Sequence, residues 1–388
     1  MVSRADRSRL SQWWWTIDKT LLISAIALMA GGLILSLAAS PAIAERLNVD
    51  SMHFFKRHIS FLVPALALMI GISFLDKHNA RRAAIALFLL AIGLMVLTMF
   101  FGFEAKGSRR WLSVGSFSLQ PSEFLKPGFV VVAAWLFAEN TRRPDIPGNL
   151  FSIILFAIVI ALLVAQPDLG QSILITGVWG AMFFIAGMPW IWIIGMGVFA
   201  IIGLASAYTL LPHFSSRIDR FLTGSGDTFQ VDTGLEAIVR GGWLGQGPGE
   251  GTVKRILPDS HTDFVFAVAG EEFGIIICML LVVAFAFIVL RGFSHALNER
   301  DGFVRLAVSG LMMLFGFQSI INMAVNLQLM PAKGMTLPFI SYGGSSLIAV
   351  AIGMGFILAF TKSRPDSRRF STGLYKPSIG SDNVQAAE

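Results

Sequence analysis

The chain has 388 residues, of which 55% are hydrophobic and only 14% charged, and its formal net charge is +6. Soluble domains carry roughly 25% charged residues, so a chain this apolar cannot cover a water-facing surface and reads as a membrane protein. The positive balance does not indicate nucleic acid, since no aromatic–basic module or zinc-ligand spacing accompanies it; cytoplasmic loops and anionic lipid account for it.

In chain order, a basic N-terminus (Arg4, Arg7, Arg9) leads into an apolar run with no small-residue cleavage site. It is therefore read as a retained first span after a cytoplasmic segment, residues 1–19, and not as a signal peptide. A helical span needs roughly 20 mainly apolar residues. Ten stretches qualify, at about 20–40, 53–75, 82–102, 122–138, 149–166, 170–188, 190–211, 264–291, 303–326 and 336–361. The expectation is an all-α polytopic membrane protein of about ten transmembrane helices over 20–361, with one long extracytoplasmic loop at 212–263. An even count puts both termini on one side. Lys77, Arg81, Arg82, Arg142, Arg143, Arg291 and Arg300 make that side cytoplasmic. The bias is weak because cations also gather outside, at Lys106, Arg109 and Arg110 and at Arg217, Arg220, Arg240, Lys254 and Arg255. A topology rule broken locally points to a bound anion. The long loop is expected to hold turns and short amphipathic helices on the membrane surface. The polar tail, 362–388, reads as disordered. The lone Cys278 sits in an apolar run and reads as a small buried residue.

Four polar clusters interrupt the spans, and span alternation places all four outside. The first is GSRRWLS from Gly107, holding Arg109, Arg110 and Trp111, followed by QPSEFLK from Gln120 to Lys126. Pro121 suits the first turn of a helix, on which Glu123 and Lys126 share a face and can pair. The simpler reading is an interfacial ion pair with Lys126 snorkelling to water; against it, charges within a span are functional candidates by default. The second is QPDLG, Gln166–Gly170, where Asp168 either caps the next helix or joins a site.

The third is LPDSHTDF, Leu257–Phe264, running into Gly270–Gly274. If the helix continues outward at about 1.5 Å per residue, Asp263 lies roughly two turns above Glu272. A carboxylate there is well placed as a general base, and helix capping is compatible with that role. His261 is a second titratable group, for which a structural hydrogen bond is the simpler role. The fourth, Asn322–Ser346, contains Pro331, Lys333, Pro338, Gly343 and Gly344 and predicts an interrupted helix. Irregular backbone at membrane depth is tolerated where it is buried in protein or lines a cavity. Free N–H groups there, with the hydroxyls of Ser341, Ser345 and Ser346, would make an anion-binding concavity. The run GQGPGEG, Gly245–Gly251, lacks both the Walker and the dinucleotide spacing and reads as a flexible turn.

These clusters, in this order, resemble the SEDS (shape, elongation, division, sporulation) family over about residues 15–362. The Asn322–Ser346 stretch looks like the family signature, and PDSHTDF is similar to the segment that holds the family's essential aspartate. WLGQGPGEGTVK, Trp243–Lys254, and the tail look division-type; the elongation-type role is the alternative within the family. The resemblance implies a peptidoglycan glycosyltransferase that polymerises lipid II by inverting transfer during septal wall synthesis. It implies Asp263 as the base, Glu123 and Lys126 as polar cavity residues, and Arg109 and Arg110 as a basic pair of the family motif. Trp111, Asp168, His261, Lys333, Ser341, Gly343, Gly344, Ser345 and Ser346 join them as expected substrate or cavity residues. Lipid II and the nascent strand are the implied ligands. A class B penicillin-binding protein transpeptidase of the FtsI type and other divisome membrane proteins are the implied partners. The implied location is the bacterial inner membrane at the septum. Divalent-cation dependence (Mg2+ or Mn2+) is also implied, with no organic cofactor; no metal site is readable.

Glycosyl transfer from a polyprenyl diphosphate needs a proton removed from the acceptor hydroxyl and charge stabilised on the leaving group. A lone Asp263 beside cationic loops fits both needs. A lipid II transporter would explain intramembrane charge and a broken helix equally well, but needs matched features on both sides. A non-catalytic scaffold leaves Asp263 and Lys126 without a reason.

Overall fold

In the computed structural model, residues 8–362 are described apart from 47, 106, 107, 116, 189, 211–214, 216–218, 220–228, 332 and 333. Lys106, Arg217, Arg220, Lys333 and the 363–388 tail lie outside the described residues. A short helix α1 (Arg9–Thr16) precedes α2 (Lys19–Arg46), α3 (His53–Ser73), α4 (Lys77–Phe101), α5 (Pro121–Arg142), α6 (Gly148–Ala165), α7 (Leu169–Ile185) and α8 (Trp190–Leu210). Within the long loop lie α9 (Phe229–Gly241) and a 3-10 turn, Val253–Arg255. Then come α10 (Val265–Asn298), α11 (Gly302–Asn326) and α12 (Gly344–Phe360). Ten of these helices occupy the ten apolar stretches. Six of them, α2, α3, α4, α6, α10 and α11, are long and apolar enough to cross a membrane by length and composition. Asp76, Asp168 and Asp301 cap α4, α7 and α11, each accepting a first-turn N–H as N-cap carboxylates do.

The core is built around α11. Of its most apolar window 83% is buried, against 17% for α3, so α11 is the central post and α3 is peripheral. It packs against α5, α7, α10 and α12, and α12 in turn packs against α3. Between α11 and α12 the described residues, 327–331 and 334–343, are not in a helix, in line with their prolines and glycines. The last span is thereby shortened to Gly344–Phe360 from the expected 336–361.

Three features differ from the sequence expectation. Between α4 and α5 the chain forms a three-stranded antiparallel sheet, β1 (Phe103–Ala105), β2 (Ser108–Val114) and β3 (Phe117–Leu119). Two of these strands have three residues, too few for alternation to stand out beside the helical pattern. The sheet aligns Glu104 with Arg109 and Phe103 with Trp111. Second, α9 does not simply lie on a surface: Thr233, Gly234, Ala237, Ile238 and Gly241 are buried and the helix packs on α10.

Third, the glycine-rich run is not a free turn. Helix α10 is broken at Gly274, whose φ of 78° and ψ of 177° are non-helical. The loop after α9 fills the break. Ile275 N–H donates to Gly242 O at 2.9 Å, while Gln246 N–H and Gly247 N–H donate to Glu271 O and Glu272 O at 2.9 and 3.0 Å. A broken helix leaves backbone groups that must find partners, and this loop supplies them. Only glycine fits at 274, since a Cβ there would fall 2.3 Å from Trp243 O. The loop is anchored from behind as well. Glu271 accepts from Val253 N–H and Lys254 N–H at 2.6 and 2.8 Å, and Lys254 ion-pairs with Glu272 where both side chains are almost fully buried. Lys254, expected among the anion-attracting cations, is therefore committed to an internal partner.

Candidate functional site

Pro121 opens α5 at its first turn, which places Glu123 and Lys126 one turn inside the bundle. Their side chains are 5% and 3% exposed and pair at 2.8 Å. The snorkelling alternative is thus excluded: the lysine faces protein. Each partner is also bound from another helix. Gln171 Nε2 of α7 donates to Glu123 Oε1 at 2.6 Å, and Lys126 Nζ donates to Gln318 Oε1 of α11 at 3.0 Å. Buried charge is tolerated when paired and hydrogen-bonded in this way.

From Gln318 the bonding continues into the irregular segment. Gln318 Nε2 donates to Thr336 O at 3.1 Å, and the Thr336 hydroxyl meets the Ser346 hydroxyl at 2.6 Å. The neighbouring Met335 O accepts from Asn322 Nδ2 at 2.6 Å, and the same amide nitrogen lies 2.8 Å from Asp263 O. Asn326 Nδ2 donates to Asp263 O at 3.0 Å, while Asn326 Oδ1 accepts Ala267 N–H of α10. Asp263 sits just ahead of α10, and its main chain is clamped by two asparagines of α11. A Cβ built on Gly334 would lie 3.5 Å from Asp263 Oδ2, so the irregular segment passes beside this carboxylate.

The other clusters join the same end. Arg110 Nε donates to Gln166 O at 2.9 Å, its guanidinium also reaches Pro167 O, and Nη1 lies 3.6 Å from Asp168 Oδ1. Asp168 both caps α7, at 3.4 Å from Gln171 N–H, and accepts from Gln120 Nε2 at 3.4 Å. Burial pushes its carboxyl above the ordinary carboxylate range, and Arg110 pulls the other way. Gln120 N–H donates to Ser345 Oγ at 3.0 Å, and Ser345 Oγ donates to Ser118 O. The His261 ring packs against Phe54 and Tyr342, with ring centres 4.7 and 5.3 Å apart, and His261 O accepts Tyr342 N–H at 2.9 Å.

Several expected site residues have other duties. The hydroxyls of Ser341, Ser345 and Ser346 bond within the protein, Ser341 Oγ accepting Leu337 N–H at 2.8 Å. These bonds shape the irregular segment. Gly344 lies against the Phe61 ring, where a Cβ would come within 2.6 Å; Gly343 is half-buried beside Thr336. Arg109 is exposed and lies 3.8 Å from Glu104, and Trp111 is half-buried in β2. Gln171, Gln318, Asn326 and Thr336 complete the network without having been singled out. A signal existed for two of them: Gln318, Asn322 and Asn326 recur every four residues, one face of a helix.

The cavity beside the Glu123–Lys126 pair is also lined by Gln318, Phe315 and Gly353, and measures about 30 Å³. A water needs roughly 10–15 Å³ by this measure, so about two waters fit and a sugar does not. Among the described residues, no group of three or more His, Cys, Asp or Glu comes together to hold a metal ion.

The family profile described as cell cycle protein, FtsW/RodA/SpoVE, matches residues 18–365. A probable peptidoglycan glycosyltransferase FtsW of Caulobacter vibrioides (strain NA1000 / CB15N) is 46% identical over 365 residues, covering 94% of each chain. The corresponding protein of Geobacter metallireducens (strain ATCC 53774 / DSM 7210 / GS-15) is 34% identical, covering 88% of this chain and 93% of its own. Among solved structures, a chain of a peptidoglycan synthase complex studied for the coordination of polymerization and crosslinking superposes with a TM-score of 0.72 at 26% identity. It covers 90% of this chain and 98% of its own. Thermus thermophilus rod shape determining protein RodA gives 0.67 at 27% identity, covering 90% and 97%. With family profile, relatives and superposed bundle in agreement, the chain belongs to the SEDS family, the FtsW/RodA/SpoVE cell cycle proteins.

Proposed function

We propose that this protein is a division-type peptidoglycan glycosyltransferase that polymerises lipid II into glycan strands, with Asp263 as its general base. The observation that carries the assignment of Asp263 is its setting: its main chain is held by Asn322 and Asn326, and that clamp is bonded through Met335 and Thr336 to the buried Lys126. Relatives 46% and 34% identical carry the name peptidoglycan glycosyltransferase FtsW, which supports the reaction class.

In the reaction, the acceptor sugar hydroxyl attacks the anomeric carbon of the donor. The bond from that carbon to the diphosphate oxygen breaks, and the polyprenyl diphosphate leaves with the electron pair. Asp263 takes the hydroxyl proton. One attack on the face opposite the leaving group inverts the anomeric centre, and no enzyme nucleophile is required. Arg109, the exposed member of the basic pair, loosely paired with Glu104, is a cation that can reach the diphosphate; Arg110 is bonded to the turn at Gln166–Asp168. Lys126 acts through Gln318 to fix the segment beside Asp263. A divalent cation fits here only if the substrate supplies most of its ligands. Mg2+ is commonly held by one or two carboxylates plus phosphate oxygens, and Asp263 is the carboxylate at hand. Such an ion would neutralise the leaving diphosphate.

The proposal includes a class B penicillin-binding protein transpeptidase and other divisome proteins as partners, and the septal inner membrane as location, with termini inside and the 212–263 loop outside. The synthase complex among the solved relatives supports a transpeptidase partner.

The test is polymerisation of purified lipid II in detergent, with partner and divalent metal present. Asp263→Asn keeps shape and hydrogen bonding but removes the basic charge. It should fold and bind partner while losing about 10²–10⁴-fold in rate, the usual worth of one acid–base group. Near-normal synthesis by the Asn variant removes Asp263 from the mechanism. Absence of synthesis by either form moves the reading to a lipid II transporter.

A further inference from the structure

Helix α1 has no role in the site, yet it is held in place with unusual care. It lies where α2 begins and where α3 and α10 end. Trp13 Nε1 donates to Ser73 Oγ at 2.8 Å, and its ring stacks on Phe74 with centres 4.7 Å apart and planes 15° from parallel. At its far end Asp18 accepts Leu21 N–H at 2.9 Å and is paired with Arg291 at 2.8 Å and with His295. A helix held at Trp13 and again just past its last residue cannot turn to hide its apolar residues. Leu10 nonetheless remains 66% exposed, Trp14 38% and Trp15 40%.

The sides of α1 differ in chemistry. At 100° per residue, Leu10, Trp13 and Trp14 share one side, Arg9, Gln12 and Thr16 fall on the other, and Trp15 sits at the border next to Gln12. Lys19 Nζ sits over both exposed rings, 4.8 Å from the centre of Trp14 and 4.6 Å from that of Trp15. On the following helix α2, Ile23 is 64% and Ile26 39% exposed. In a membrane protein these side chains meet lipid. Tryptophan with adjacent cations is the composition of the membrane–water boundary, and a short helix with one apolar and one basic polar side lies flat in that boundary. The sequence ahead of α1 adds Arg4 and Arg7 to Arg9, so the lipid surface it suits is anionic.

We propose that α1 is an interfacial anchor that lies in the headgroup region of an anionic leaflet, inserting Leu10 and Trp14, with Trp15 at the water boundary, while Arg9 and Lys19 meet lipid phosphates. This surface is independent of the catalytic assignment and rests only on the chain being a membrane protein.

The experiment uses the full-length protein in vesicles of phosphatidylglycerol and phosphatidylethanolamine. A nitroxide is attached at Leu10→Cys or, on the opposite side, at Gln12→Cys. Cys278 is buried and does not compete for label. Relaxation by oxygen, which concentrates in lipid, is compared with relaxation by a water-soluble nickel chelate. The oxygen-to-nickel ratio should be several-fold higher at position 10 than at position 12, and should fall at position 10 when phosphatidylcholine replaces the anionic lipid. Adding Trp14→Ser and Trp15→Ser should bring the two positions together while Trp13 keeps the helix attached. Equal, water-like ratios at positions 10 and 12 in anionic vesicles overturn the proposal, and would leave this face to a protein partner instead.

Discussion

Lys126 with Glu123 and Lys254 with Glu272 are the same chemical pair, all four side chains at most 5% exposed, but their neighbours differ. The first pair borders a cavity, is held by Gln171 and hands its bonding on through Gln318 to residues near Asp263. The second is sealed: Lys254 spends its remaining capacity on Ala38 O of α2 at 3.1 Å, and Glu272 lies beside the break that the glycine loop fills. Two buried ion pairs of one kind therefore sit in different settings, one beside a cavity and one inside the packing. What separates them is whether the surrounding atoms leave room and an onward path.

The largest effect is expected at the sealed pair. Lys254→Met leaves the Glu272 charge buried without a partner, a change that costs about 3–5 kcal/mol. The purified protein should melt several degrees lower, with most of the loss recovered in a Lys254→Met, Glu272→Leu double variant. An unchanged melting temperature would mean that the glycine loop holds without this pair.

Next is the cavity pair. Lys126→Met should lower lipid II polymerisation by about 10²-fold, the scale of one lost electrostatic donor. Its melting temperature should fall less than that of Lys254→Met, because Glu123 keeps Gln171 and can take water from the cavity. Equal melting losses with equal activity losses would erase the distinction between the pairs.

Asp18 offers a third and milder case. Burial alone would raise its carboxyl, but hydrogen bonds from His295, Leu21 N–H and Arg291 hold it well below the ordinary carboxylate range. A carboxyl depressed in the folded state adds stability above its unfolded value of about 3.9 and loses it as pH falls toward the folded value. The stability gap between the wild type and Asp18→Asn should therefore be full at pH 7 and narrow as pH drops below about 4. A gap that stays constant with pH would remove the charge from the explanation and leave only packing.

Legibility varied by region. The interrupted last span was visible in Pro331, Pro338 and Gly343, because missing N–H donors and glycine freedom act locally wherever they occur. The Glu123–Lys126 pair was visible because helix geometry fixes what three residues of separation means. The glycine loop was misjudged for the opposite reason. Its composition describes a flexible chain, and nothing within seven residues shows that a break in α10, more than twenty residues later, will need its amides and carbonyls. Arg110 and the three serines read as ligand groups from the sequence, and the structure adds the internal bonds they also make, which local sequence does not reveal.

The sequence by itself determined that this is a multi-span membrane protein, where its apolar helices lie, and which family its motifs match. These follow from transfer free energies and local backbone chemistry, both summed along the chain. Only the tertiary structure decided which polar residues meet. Asp263 reaches Lys126 through Asn322, Met335, Thr336 and Gln318, four residues drawn from one helix and one irregular segment. That path depends on how α5, α10, α11 and α12 pack, and a polar side chain buried by packing bonds to whatever the neighbouring helix brings within 3 Å.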